Sequence, residues 1–279
     1  MTKQANYRPQ PAGQCLKPVL ALAAILLLSG CSELGYLLSN DKVTDADNDQ
    51  VVFVGDSIFA LSGEIQNQLE ARAGETFRRY TVSGAELSGD LIAPSIPDQF
   101  REAVTDNPDI ETVVGDAGGN DILIPAIALN SNNCKTPWWR FGRLSKQCRD
   151  FIDDIYVDAV DFLNEMAEAD VQNGILTGYY YTKNGLFRLD DMKEAVDYGN
   201  ATLARACENS VLNCTFVDPR WVINDRDIIF DGIHPADSGS KKIADLIWPK
   251  LQPLLLSPSV PAGKRPGPHS AIPLAGQLQ

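Results

Sequence analysis

Histidine is nearly absent: the 279 residues contain two, His234 and His269. A zinc site built from several imidazoles is therefore not expected, and because His269 lies in a proline-rich stretch, one histidine is left for chemistry. Positive charge is also short, with 24 Lys and Arg against 37 Asp and Glu, for a formal charge of −13. Nucleic-acid binders draw most of their affinity from Lys and Arg neutralising phosphates, so that function is excluded. No internal repeat is apparent, and no apolar run reaches the roughly 20 residues that a membrane-spanning helix needs. What remains is ordinary globular composition, 44% hydrophobic and 22% charged, in a chain long enough for one large domain or two small ones.

The N-terminus departs from the acidic rule. Residues 1–17 carry Lys3, Arg8 and Lys17 with no acid, and residues 19–28 form an uncharged apolar run, VLALAAILLL. This is the pattern of an export signal core. The following Leu28-Ser29-Gly30-Cys31 resembles the lipobox of bacterial lipoproteins, which implies loss of residues 1–30, lipidation of Cys31 and a membrane partner held through that lipid. Ser32 rather than Asp after the cysteine resembles outer-membrane lipoproteins of Gram-negative envelopes. The mature chain would carry 21 − 37 = −16 charges. It would keep Cys134, Cys148, Cys207 and Cys214, an even number in an oxidising compartment. Three pairings are open; proximity favours Cys134 with Cys148 and Cys207 with Cys214.

Residues 31–50 read as a polar tether and order is expected to begin near Val51. Val51 to Val54 is a continuous apolar run, as in a parallel strand buried on both faces, and Ile58, Leu61, Ile65 and Leu69 then recur at helical spacing up to Gly74. Further strands are expected at residues 79–83, 110–114, 174–181 and 215–217, with helices at about 150–169, 190–207 and 238–251. Alternation of this kind defines an α/β domain with a parallel sheet, here over residues 51–252. Residues 253–279, punctuated by prolines, read as a disordered tail.

Three short motifs fall where strands end. Gly55-Asp56-Ser57 follows the first strand and precedes a helix, Gly118-Gly119-Asn120-Asp121 follows the third strand, and Asp231-Gly232-Ile233-His234 precedes the last helix. Each has a plainer explanation when taken alone, a helix cap, a turn and a structural histidine. Together they place a hydroxyl, an amide donor and an aspartate-oriented imidazole at one edge of a parallel sheet, where ligands bind. A carboxylate three residues from a histidine can fix its tautomer while the other ring nitrogen faces a serine.

In these blocks the chain resembles the SGNH hydrolases, also called GDSL-type esterases and lipases, with Ile58 where Leu is usual. The resemblance spans roughly residues 51–251 and implies a flavodoxin-like three-layer α/β/α sandwich with a central parallel sheet. It also implies a serine hydrolase of carboxylic esters that uses neither metal nor organic cofactor. Carried across, Ser57 is the nucleophile, His234 the general base and acid, and Asp231 the residue that orients His234. The oxyanion hole would combine the Ser57 N–H, the Asn120 side-chain amide and a glycine N–H. Two glycines compete for that place, Gly89 in Leu87-Ser88-Gly89-Asp90 and Gly84 in Val82-Ser83-Gly84-Ala85, with Gly89 preferred.

The segment from Cys134 to Cys148 stands apart. It holds Lys135, Arg140, Arg143 and Lys146 with no acid, together with Trp138, Trp139 and Phe141. It reads either as aromatic packing onto the domain or as a substrate cap led by Trp138 and Trp139, touching the acyl or anionic part of a substrate or a membrane surface. Esters of lipids, short-chain acyl esters and O-acetylated saccharides all fit the motifs, and oligomeric state is left open. The competing expectation is a noncatalytic envelope lipoprotein that binds carbohydrate or lipid on the same fold.

Overall fold

The computed structural model describes residues 39–89 and 93–256. The export signal, Cys31 and the tail beyond residue 256 lie outside them. Six strands form one sheet: β1 (Asn40–Val43), β2 (Asn48–Val54), β3 (Phe77–Val82), β4 (Thr112–Asp116), β5 (Asn173–Thr177) and β6 (Asn213–Val217), in the order β1-β3-β2-β4-β5-β6. All neighbours pair in parallel except β1, which runs antiparallel to β3 at the edge. Without β1 the order is the flavodoxin-like 2-1-3-4-5, so the strand order reverses between β2 and β4 and leaves a crevice there.

The helices among the described residues are α1 (Ser57–Ala60), α2 (Glu64–Ala73), α3 (Ile96–Asp106), α4 (Gly119–Ala128), α5 (Lys146–Glu168), α6 (Lys193–Asn209) and α7 (Asp237–Leu255). Alternation along β2 divides the core between the two faces of the sheet. Val51 and Phe53 pack with Ile65 and Leu69 of α2 and Ile243 and Ile247 of α7. Val52 and Val54 pack with Phe100 of α3, Phe162 of α5 and Leu203 of α6. Both faces are thus covered, which is why this strand reads as an unbroken apolar run. Each such side chain contributes about 1.5–3 kcal/mol on burial.

Several boundaries differ from the expectation. Residues 40–43 and 48–50 belong to the sheet and not to a tether, with 44–47 connecting them: β1 pairs along its length with β3 and β2 begins at Asn48. Asn40-Asp41-Lys42-Val43 is a polar edge strand, held by ion pairs of Asp41 with Arg79 and of Lys42 with Glu102, so its hydrophobic signal is weak. The single helix expected after Ser57 is two, interrupted at Ser62-Gly63. The last helix extends through Pro253 to Leu255, three residues into the expected tail. Helices α3 and α4 have no counterpart among the expected elements.

Both disulfides form in the pairing that proximity favours, Cys134 with Cys148 and Cys207 with Cys214. The first is buried in a small cluster of its own with Ile152, Leu189, Met192 and Ile233. The second ties the end of α6 to β6 across the far side of the domain. A bridge closing so short a loop is worth about 2–3 kcal/mol in the chain-entropy model. Replacing Cys207 and Cys214 together with Ala should lower the free energy of unfolding read from urea melts by about that amount, with the m-value rising as the unlinked denatured chain expands. An unchanged free energy of unfolding would show that this bridge does not restrain the unfolded chain.

Candidate active site

Ser57 is the first residue of α1, directly beyond the end of β2. The N-cap of that helix is Asp56 and not the serine: its carboxylate accepts a hydrogen bond from the Ile58 N–H at 2.9 Å. The Ser57 hydroxyl is thereby left for another partner, and it meets His234 Nε2 at 2.7 Å. On the other side of the ring, His234 Nδ1 lies 2.5 Å from Asp231 Oδ2. Asp231 Oδ1 accepts from the backbone N–H groups of Ile233 (2.9 Å) and His234 (3.0 Å), which winds the Asp231–His234 loop around the carboxylate. Tyr180 secures the same loop from below by donating its hydroxyl to the Ile233 carbonyl at 2.6 Å.

The three side chains are almost enclosed, Ser57 at 8%, His234 at 5% and Asp231 at 2% exposure. Burial by itself would push the Asp231 carboxyl up. The hydrogen bond and charge of His234 and the two backbone donors outweigh it, so the group is held below the usual aspartate range. An ionised Asp231 fixes the Nδ1 proton and leaves Nε2 to accept one from Ser57.

Asn120, the second residue of α4, donates through Nδ2 to the Ala85 carbonyl at 2.9 Å. One amide hydrogen is spent on orientation and the other remains for a ligand. The Ser57 N–H belongs to the first turn of its helix and has no intrahelical acceptor. Asp121 joins the two glycine-bearing segments: its carboxylate accepts from the Leu87 N–H at 2.8 Å, the Ser88 N–H at 2.9 Å and the Ser88 hydroxyl. That clamp ends immediately before Gly89. Gly84 serves a different purpose, sitting at φ +82° in a tight turn closed by the Ala85 N–H on the Val82 carbonyl. The turn accounts for glycine at position 84, whereas Gly89 has no such conformational demand.

Beneath the serine lies a set of residues that sequence motifs did not single out. Gln99 of α3 binds both backbone groups of Gly55, accepting from its N–H at 2.8 Å and donating to its carbonyl at 3.1 Å. Asp116, at the end of β4, accepts from the Asp56 N–H at 2.8 Å. Tyr179 donates to Asp56 Oδ2 at 2.9 Å. Its ring can lie there only because residue 119 is glycine, since a Cβ at Gly119 would come within 2.4 Å of the ring. Burial, then the charge of Asp56, pushes the Asp116 carboxyl well above its ordinary value. No sequence signal separates these residues from core polar groups, because their partners, backbone groups of Gly55 and Asp56 and the Asp56 carboxylate, are brought to them by the fold.

An apolar cavity of about 50 Å³ opens beside the triad. Ile58 and Ile233, the neighbours of Ser57 and His234, line it with Gly119, Ile122, Ile155 and Leu203. No residue of the 134–148 segment does. Trp138 and Trp139 sit on a short helical turn (Trp138–Arg140), stacked edge to face and exposed at 82% and 60%. They neither pack onto the domain nor wall the cavity.

No family model and no curated protein sequence matches the chain. Solved structures do share its fold. One is described as a putative acylhydrolase from Bacteroides fragilis, with a TM-score of 0.53 at 20% identity over 76% of this chain and 90% of that one. Another is a GDSL-like lipase from Bacteroides thetaiotaomicron, with a TM-score of 0.51 at 18% identity over 76% and 92%. A third is a carbohydrate acetylesterase family member from Sinorhizobium meliloti, with a TM-score of 0.53 at 11% identity over 74% and 99%. The chain therefore has the fold of the SGNH hydrolases.

The raised Asp116 has a thermodynamic consequence of definite sign. A carboxyl that binds its proton more tightly when folded favours the folded state at acid pH, and that advantage is lost as pH rises from the ordinary value of 3.8 through the raised one. Asp116→Asn keeps an acceptor for the Asp56 N–H and removes the titration. The fall in urea midpoint between pH 5 and pH 9 should be smaller in the variant than in the wild type. Equal falls would show that Asp116 is ionised in the folded protein at both pH values.

Proposed function

We propose that this protein is a serine carboxylic-ester hydrolase of the SGNH type. The observation that carries the reading is the unbroken chain from Ser57 Oγ through both nitrogens of His234 to Asp231. Ser57 attacks the ester carbonyl as its proton passes to His234 Nε2. The resulting oxyanion is held by the Ser57 N–H, the free Asn120 amide hydrogen and the Gly89 N–H, with Asp121 positioning the segment that carries Gly89. His234 then gives its proton to the departing alcohol. Water enters and attacks the acyl carbonyl as His234 takes its proton; His234 then returns that proton to Ser57 Oγ as the bond to the serine breaks and the acyl group leaves as a carboxylic acid.

The cavity beside Ile58 and Ile233 is the acyl site in this reading. An apolar cavity of roughly 150 Å³ holds benzene, so one of about 50 Å³, a third that volume, takes an acyl group of about two carbons. Short-chain esters and O-acetyl groups are favoured over long acyl lipids. Esterases of acetylated carbohydrate among the structures of like fold support the same choice. Two disulfides fit an exported protein. Export through residues 1–30 and lipidation of Cys31 complete the proposal and place the enzyme in the cell envelope.

Steady-state kinetics with p-nitrophenyl esters from acetyl to palmitoyl test this reading. Ser57→Ala and His234→Ala should each lower kcat by more than about 10³-fold, with no further loss on combination. Asn120→Ala should lower kcat by about 10²–10³-fold at little change in KM. kcat/KM should drop at least about tenfold once the acyl chain outgrows the cavity. Turnover retained by Ser57→Ala would overturn the mechanism, and saccharide or lipid binding without turnover by the wild type would favour a noncatalytic lipoprotein.

A further inference from the structure

We propose that the active-site edge of the sheet rests on an anionic lipid bilayer, with Trp138, Trp139 and Phe141 in its headgroup layer. The inference rests on the lipid-anchor reading of Cys31 and is independent of the hydrolytic one. Its first support is the direction of β1. Because β1 is antiparallel to β3, its first residue, Asn40, pairs with the last residue of β3, Val82. Ser39 is fixed at the same edge: its hydroxyl donates to the Ala60 carbonyl at 3.0 Å and meets the Ser83 hydroxyl at 2.8 Å, and its carbonyl accepts from the Ser83 N–H at 2.9 Å. The chain from the anchor thus reaches the domain beside α1, which begins with Ser57.

Chain length makes that placement restrictive. Between Cys31 and Ser39 there are eight peptide steps, which span at most about 28 Å when fully extended. A domain of this size is roughly 45 Å across. A lipid on Cys31 therefore holds the Ser57 edge near the bilayer and leaves the opposite edge out of reach.

The surface of that edge has the matching chemistry. Leu129, Trp138, Trp139, Phe141, Leu186 and Phe230 are each at least 60% exposed. They lie on the connections that follow β4, β5 and β6, the same connections that supply Asn120, Tyr179 and His234. Tryptophan beside Lys and Arg is favoured at the membrane interface. The segment from Cys134 to Cys148 carries four cations and no acid in a chain of net charge −13, so this stretch draws toward anionic headgroups where the protein as a whole does not. Lys146 shares its charge with Asp150, whereas Arg140 is bonded only to neutral Asn133 groups. The Cys134–Cys148 bridge, buried under the segment, fixes the base from which the aromatics project.

The test uses the lipidated full-length product, reconstituted into vesicles of phosphatidylglycerol and brominated phosphatidylcholine. Bromine quenches tryptophan only at contact range, and the mature chain has four tryptophans: Trp138, Trp139, Trp221 and Trp248. Quenching in the wild type that is mostly lost in Trp138→Phe/Trp139→Phe is the expected result. Its weakening when uncharged lipid replaces phosphatidylglycerol would add the electrostatic part. Equal quenching in wild type and variant, or none in vesicle-bound protein, would overturn the proposal. Intact mass reports lipidation of Cys31 separately, and ester turnover plays no part in the fluorescence, so failure of either underlying reading is distinguishable from failure of this one.

Discussion

Parallel pairing of β2 with β4 is the constraint from which the site follows. Val54 of β2 is in register with Gly115 of β4, so both strands end at the same edge, on either side of the point where strand order reverses. The turn after β2 delivers Ser57, the turn after β4 delivers Asn120, and the loop before α7 closes over both with His234. None of these residues touches another in sequence. Their convergence depends on a sheet whose core is apolar on both faces and whose connections all return under it.

That geometry also explains why the polar residues below the serine are needed. A strand end has unpaired backbone groups, and a buried one must find partners for them. Gln99 supplies both for Gly55, and Asp116 supplies one for Asp56. The serine is thereby held by backbone contacts that a substrate does not disturb. Asp121 does the same between the β3 and β4 connections. The donors proposed for an oxyanion are in this way fixed by the fold itself, which is the condition for electrostatic stabilisation of a transition state.

The motifs were legible because each pairs a chemical group with a local backbone requirement: a serine where a strand gives way to a helix, glycines before Asn120, a carboxylate three residues from His234. The strand β2 was legible through the unbroken apolar run Val51 to Val54. Strand β1 was not, since an exposed edge pairing through Asp41 and Lys42 looks like a polar linker. Helix α4 was hidden because Pro125 and its continuous apolar stretch show no helical period. Gln99, Asp116 and Tyr179 escaped notice because their partners are distant in sequence: Gln99 and Asp116 hold backbone groups of Gly55 and Asp56, 44 and 60 residues away, and Tyr179 binds the Asp56 carboxylate 123 residues away. The aromatic segment was recognised as unusual, but its outward direction follows from packing that sequence does not encode locally.

The central claim is that His234, oriented by Asp231, activates Ser57. Covalent labelling by a fluorophosphonate, read by peptide mass, tests it without assuming any natural substrate, because the reagent needs an activated serine and an oxyanion site. The account predicts a single adduct on the peptide containing Ser57 in the wild type and none on folded His234→Ala at the same exposure. An adduct on another residue, no adduct on the folded wild type, or undiminished labelling of Ser57 in His234→Ala would contradict it.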